Sequence, residues 1–202
     1  MLGHVDPRLA DLTSGLDEQG AALVTEAYRL ATTAHDGVLR TQGNPYIDHP
    51  IAVALMVRDT FGFTDAETIA AALLHDTVED TWVTREDVNA ISPRVGELVN
   101  LLTDPRPHMS SPERRDHYLN IWPDAAGSAI KLSDRLCNLH DSLTMDREFA
   151  ARYVTRTRVE MLWPGSPCLT DPRAARLLKD AVMQLDQYAR TGVRTTGAEL
   201  VS

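Results

Sequence analysis

Hydrophobic residues recur with a helical period in most segments of the chain. Over residues 20–36 the apolar side chains form one stripe with a spacing of about three to four residues, and Gly37 follows where a helix would end. The segment 48–60 places Pro50 in what would be a first helical turn, a position that proline favours. The pattern therefore predicts helices over 20–36 and 48–60.

Capping residues predict the later helices. Thr64 and Glu67 have the spacing of a capping box at the start of a helix over 65–76, and Thr84 with Asp87 repeats that spacing. Three further helices are predicted to begin at Ser92, Ser111 and Asp171. Two more are predicted to cover residues 125–143 and 147–162. Because no segment shows sustained alternation with β-branched enrichment, the sequence predicts an all-α protein, a bundle of about eight to ten helices.

No stretch rich in Pro, Gly or Ser divides the chain, so we expect one domain. Residues 20–192 would form it, after a lead-in over residues 1–19 and before a flexible tail over residues 193–202. A polar segment over residues 103–111 would form a loop within the domain.

Composition narrows the possible classes of protein. The 202 residues suffice for one good-sized core, and a net charge of −9 disfavours a general nucleic-acid coat. Two cysteines, Cys137 and Cys168, argue against a disulfide framework and for a reducing compartment. We find no signal peptide and no apolar run long enough to span a membrane, and so expect a cytoplasmic protein without a membrane partner.

The most unusual stretch is the sequence ALLHDTVEDT within residues 71–81. On a helix, spacing by four residues puts His75 with Glu79 on one side and Asp76 with Asp80 on another. Three carboxylates and an imidazole beside an apolar run would cost several kcal/mol each if they were buried unpaired. A bound cation would explain them.

Other candidate ligands of such a cation are His49, at a helix start, and Asp134, near the apolar face of its helix, with Asn138 one turn further. Two His and two Asp suit a transition metal such as Mn, Fe or Zn better than Ca²⁺. Taken alone, His49 is equally compatible with a hydrogen-bonded loop histidine, and Asp134 with an ion pair to Lys131 or Arg135. The metal site depends on the combination.

Four blocks of sequence, at residues 34–50, 71–81, 102–114 and 131–138, follow one another along the chain. In that order they resemble the HD-domain phosphohydrolases and, within them, the hydrolase domain of the RelA/SpoT-like alarmone enzymes. The resemblance covers about residues 20–160. The bifunctional enzymes carry a synthetase domain after this one. Because the 202 residues end too soon for such a domain, we expect the chain to be similar to a stand-alone small alarmone hydrolase.

The resemblance implies a reaction and the residues that perform it. The reaction would remove pyrophosphate from the 3′ position of ppGpp or pppGpp, leaving GDP or GTP. The implied ligands of a divalent ion, typically Mn²⁺, are His49, His75, Asp76 and Asp134. Glu79 and Asp80 match the acidic pair that positions and activates water.

Substrate contacts are implied as well. Arg40 matches a residue that contacts the base, Asn138 one near the sugar, and Arg152 with Arg156 lie in a region that contacts the nucleotide. Arg152 and Arg156 belong to the helix predicted over residues 147–162, and the alternative for each is a solvated surface position with no contact to the nucleotide.

One departure from the family pattern concerns specificity. Where the family usually has Lys-Ser after Arg40, this chain has Thr41-Gln42, which leaves the expected metal and water residues intact. The substrate could therefore be another phosphorylated nucleotide, such as an adenine alarmone or a nicotinamide dinucleotide phosphate. A third hypothesis is a non-catalytic nucleotide-binding or antitoxin-like partner protein, although Glu79 and Asp80 favour an enzyme. No protein partner is indicated.

Overall fold

The computed structural model describes residues 6–106 and 108–194, and the all-α class predicted from the sequence is confirmed. Within these residues the helices are α1 Pro7–Thr13, α2 Glu18–Ala34, α3 Asp48–Asp59, α4 Ala66–Leu74, α5 Thr77–Asp80, α6 Arg85–Ile91, α7 Pro93–Leu102, α8 Ser111–Ile121, α9 Ala125–Ser142, α10 Arg147–Glu160, a 3-10 helix Pro167–Leu169, and α11 Pro172–Thr191. None of these helices combines the length and apolar character needed to cross a membrane.

The helices form two compact units, Met1–Thr103 and Asp104–Ser202. A single domain over residues 20–192 stays a prediction. The predicted tail lies outside the described residues from position 195 onward, as do the first five residues of the predicted lead-in.

Helix α4 is the centre of the first unit. It packs against α2, α3 and α7, and every residue from Thr68 to Leu74 is buried. A helix that is buried all round must be apolar all round, which explains its run of Ile, Ala and Leu residues. The backbone that follows α4 is therefore anchored to the core.

The start of α4 corrects one prediction. Asp65, rather than Thr64, is the N-cap, and its carboxylate accepts the backbone N–H of Thr68 at 2.9 Å. The predicted capping box of Thr64 with Glu67 is wrong, because the Glu67 carboxylate instead accepts the Ser92 hydroxyl at 2.7 Å. The capping box of Thr84 with Asp87 is confirmed.

Part of the predicted lead-in is the folded helix α1. Leu12 is fully buried, and the Arg8 guanidinium donates both to Asp6, at the N-cap of α1, and to Asp48, the first residue of α3, the latter at 2.8 Å. Since Asp48 precedes His49, the contact braces the turn that carries a predicted metal ligand.

The second unit is built around α9, which packs against α8, α10 and α11. Its core contains a buried ion pair, in which the Arg135 guanidinium donates to the Glu160 carboxylate of α10. Arg135 also donates to the Thr157 hydroxyl at 3.0 Å, and its guanidinium lies 5.3 Å from the centre of the Tyr153 ring. The sequence offered Arg135 as a candidate ion-pair partner of Asp134, and the structure shows it buried and bound to Glu160.

Candidate active site

His75 is positioned by the end of α4. The helix ends at Leu74, two residues before the predicted end, and the ring Nδ1 of His75 lies 2.8 Å from the carbonyl oxygen of Ala72. Because a carbonyl only accepts, Nδ1 is assigned the proton, and Nε2 then carries the lone pair that a metal ligand needs. Nε2 lies 3.1 Å from Oδ2 of Asp76.

His49 approaches the same carboxylate oxygen from the first turn of α3. It is buried, its Nε2 lies 3.6 Å from Oδ2 of Asp76, and its ring centre is 5.3 Å from that of His75. One ligand atom from each of His49, His75 and Asp76 lies within 4.8 Å of the other two.

These three side chains fit a divalent transition metal. Two ligands of one ion can be at most about 4.2 Å apart, twice a metal–nitrogen bond, and both nitrogen–oxygen separations satisfy this limit. The C-terminal end of α4 also points its partial negative charge at this region, which favours a cation. Nitrogen and carboxylate donors together suit Mn, Fe or Zn.

The acidic pair lies on the short helix α5, directly after Asp76. Both Glu79 and Asp80 reach the surface, and the backbone N–H of Asp80 donates to the carbonyl of Asp76 at 3.0 Å. Partial burial, together with the negative charge of Asp76, raises the pKa of the Asp80 carboxyl. A carboxyl with a raised pKa close to a cation site is suited to accepting a proton.

Tyr46 joins these groups, and the sequence reasoning gave it no role. Its hydroxyl lies 3.0 Å from Oδ2 of Asp76 and 3.0 Å from Oδ2 of Asp80. Its ring stacks on His35 with the ring centres 4.4 Å apart. Burial and the two carboxylates raise the pKa of the Tyr46 phenol, so it stays protonated and able to donate. The one feature of the sequence that could have identified Tyr46 as a site residue is its position in the turn, three residues before His49.

The loop before α3 brings the Arg40 side chain next to the Tyr46 ring. The N–H of Tyr46 donates to the carbonyl of Val38 at 2.9 Å, and the N–H of Arg40 to that of Asn44 at 2.9 Å. Gly43 adopts a positive φ of 92° at the tip of this turn. As a result the Arg40 guanidinium lies 5.6 Å from the centre of the Tyr46 ring.

The other predicted site residues lie in the second unit. Asp134 is buried on α9, where Lys131 reaches it at 3.4 Å and the Asn138 amide donates to it. Lys131 thus forms the ion pair with Asp134 that the sequence had left open.

The two arginines of α10 differ from each other. Arg156 donates to Oε1 of Glu160 at 2.9 Å and is only partly exposed, whereas Arg152 pairs with Glu148 on the surface at 2.8 Å. Their contact with a nucleotide stays a prediction.

Comparison with known proteins identifies the family that the chain matches. Residues 27–158 match the model of a family described as HD domain. The chain is 34% identical over 144 residues to a GTP pyrophosphokinase rsh of Brucella ovis. The aligned stretch covers 67% of this chain and 19% of that protein. It thus spans about a fifth of the length of such relatives.

Shorter relatives match over more of their length. The chain is 38% identical over 126 residues to the mouse guanosine-3′,5′-bis(diphosphate) 3′-pyrophosphohydrolase MESH1, which covers 60% of this chain and 70% of that protein. A solved structure, described as a metazoan ortholog of SpoT that hydrolyses ppGpp and plays a role in starvation responses, matches with a TM-score of 0.69. That match has 27% identity and covers 81% of this chain and 95% of the other.

Proposed function

The chain belongs to the HD-domain family, and from that premise we propose that it is a metal-dependent 3′-pyrophosphohydrolase of ppGpp and pppGpp. The observation that carries the proposal is the convergence of His49, His75 and Asp76 beside the carboxyl of Asp80. The mouse protein and the solved structure named above act on ppGpp by their own descriptions, and both support this substrate.

We propose His49, His75, Asp76 and Asp134 as the ligands of the ion, with Mn²⁺ as the native metal. Support for the first three is their mutual geometry and the oriented ring of His75. Asp134 is assigned by the sequence resemblance. When bound, a divalent ion neutralises phosphoryl charge and lowers the pKa of a water molecule that it holds.

The orientation and deprotonation of the attacking water are assigned to residues of the chain. Glu79 and Asp80 orient the attacking water and accept its proton, since they follow the ligand Asp76 within one helical turn. Water forms a bond to the phosphorus on the 3′ oxygen, the bond from that phosphorus to the 3′ oxygen breaks, and the 3′ oxygen takes a proton. Positioning and electrostatics suffice for such a transfer, so no Ser or Cys nucleophile is required.

Nucleotide binding is proposed for Arg40, Asn138, Arg152 and Arg156. Support for Arg40 is its position over the Tyr46 ring. We also propose a cytoplasmic location and a role in alarmone turnover during the stringent response. Both cysteines are free and buried, which agrees with a reducing compartment.

A turnover assay tests the proposal. The purified protein, supplied with Mn²⁺, should release pyrophosphate and GDP from ppGpp, and a chelator should stop the release. Glu79→Gln should lower kcat by about a hundredfold or more, whereas Glu97→Gln, on the surface of α7, should leave it unchanged. No pyrophosphate from ppGpp, while a different nucleotide is hydrolysed, would refute the substrate assignment.

A different nucleotide substrate is the second candidate function. The observation that favours it is the exposed pair Thr41-Gln42, which follows Arg40 in the loop beside the site and lacks the cation of the usual family sequence. A panel of guanine alarmones, adenine alarmones and nicotinamide dinucleotide phosphates separates the two candidates by their kcat/KM values. A binding-only or antitoxin-like role would be indicated if Glu79→Gln kept the full biological effect.

A further inference from the structure

The Tyr46 hydroxyl lies between two carboxylates with different proposed roles. It is 3.0 Å from Oδ2 of Asp76 and 3.0 Å from Oδ2 of Asp80. The same Oδ2 of Asp76 lies 3.1 Å from Nε2 of His75, so the hydroxyl contacts the oxygen that faces the imidazoles. One phenol therefore connects the proposed metal ligand to the proposed water-handling group.

The ring of Tyr46 has little freedom to move. It stacks on the buried ring of His35 at an interplanar angle of 22°, and its backbone N–H is tied to Val38. Arg40 lies against the ring as well. The phenol oxygen is thus held by packing on the ring and by the backbone of the loop, independently of the carboxylates that it contacts.

Packing alone does not account for the hydroxyl. A phenylalanine would make the same stack on His35, so the ring contact does not require the hydroxyl. A phenol carries one proton, so it donates to one carboxylate oxygen while remaining in contact with the other. Such a donor fixes the spacing of two like charges that would otherwise repel each other.

We propose that Tyr46 is a positioning residue, whose hydroxyl holds the Asp80 carboxylate at a fixed place relative to Asp76. The inference rests on the proposed function of the site. A carboxylate that handles water must lie within hydrogen-bond reach of it, and a misplacement of about 1 Å costs on the order of a hundredfold in rate. Loss of the hydroxyl should therefore lower kcat without removing a metal ligand.

The test is Tyr46→Phe, which keeps the ring and deletes the hydroxyl. On whichever nucleotide the wild type hydrolyses, kcat should fall about tenfold to a hundredfold, while KM and the Kd for Mn²⁺ stay within about threefold. The matched control is Tyr188→Phe, because the Tyr188 hydroxyl donates to the backbone carbonyl of Met145 in the second unit at 2.7 Å, a contact to which no part in the reaction is assigned. Its kcat should equal that of the wild type.

A double-mutant cycle separates positioning from a structural role. In the background of Asp80→Asn, Tyr46→Phe should cause little further loss, because the group that it positions has already been changed. Additive losses, an unchanged kcat in Tyr46→Phe alone, or a fall in kcat accompanied by weaker Mn²⁺ binding or a lower Tm would overturn the inference. A wild type that hydrolyses no nucleotide of the panel would refute the proposed function, and this inference with it.

Discussion

Replacing Glu160 by Gln removes a negative charge that the second unit holds among basic side chains. Glu160 has no exposed surface, and its carboxylate accepts hydrogen bonds from Arg135 and from Arg156. Arg156 keeps 40% of its side chain exposed, so water can replace its lost partner. Arg135 is 2% exposed, and no water can reach it to do the same.

The expected loss in the free energy of unfolding depends on this difference in exposure between Arg135 and Arg156. A hydrogen bond to a charged group contributes about 1.5–3 kcal/mol, and a buried charge left without its partner adds a desolvation penalty. Breaking a buried ion pair from one side costs about 3–5 kcal/mol in total. Since domains are stable by only about 5–15 kcal/mol, we expect Glu160→Gln to lose a large share of the free energy of unfolding.

Urea denaturation followed by circular dichroism measures this loss. The matched control is Glu148→Gln on the same helix, where Glu148 is 85% exposed and pairs with the exposed Arg152. A surface pair of this kind contributes at most about 1 kcal/mol. If the two variants unfolded at the same urea concentration, the reasoning about the buried pair would be refuted.

The acid dependence of stability gives a second measurement. Burial by itself would raise the pKa of Glu160, but Arg135 and Arg156 lower it more, so its pKa in the folded state lies below the ordinary value. A lowered folded pKa contributes stability above the unfolded pKa of about 4.3, and this contribution is lost as the pH falls through the folded pKa. The wild type and Glu160→Gln should therefore converge in stability toward acid pH.

Three other changes test the site and the helix ends. His75→Ala should weaken Mn²⁺ binding by at least tenfold in a calorimetric titration, with unchanged affinity as the contrary result. Thr84→Ala should lower the free energy of unfolding by about 0.5–2 kcal/mol, because Thr84 caps α6; a change within error in urea denaturation would contradict the cap. Gly192→Ala should cost about 1 kcal/mol, since Gly192 ends α11 with φ of 73°, and a Tm equal to that of the wild type would disprove the strain.

Local signals predicted most of the helices correctly. The N-cap at Ser92, the prolines of the first turns and Gly192 at the end of α11 act within a few residues, so the sequence alone reveals them. The capping box at Thr64 failed because a tertiary partner intervened. Ser92 binds the Glu67 carboxylate from 25 residues away, and Asp65 caps α4 in its place.

The meeting of His49, His75 and Asp76 in one cluster was predictable, because the sequence motif and the chemistry of metal ligands point to the same residues. His75 and Asp76 stand together in the sequence, and His49 was already a candidate ligand at a helix start before the resemblance implied the same role. Tyr46 and Glu160 were not identified, because their roles depend on contacts 34 and 25 residues away along the chain. No period or spacing in the sequence specifies such contacts.

The hydrogen bond from His75 to the carbonyl of Ala72 links ligand binding to the core of the first unit. Ala72 belongs to α4, the most deeply buried helix of that unit, so the ring keeps its orientation only while α4 is folded. A ligand that binds at His75 with a concentration a hundred times its Kd should add about 2.7 kcal/mol to the free energy of unfolding. Amide hydrogens of α4 should then exchange more slowly in the presence of the ion, and substitutions inside α4 that never touch the ion should weaken its binding.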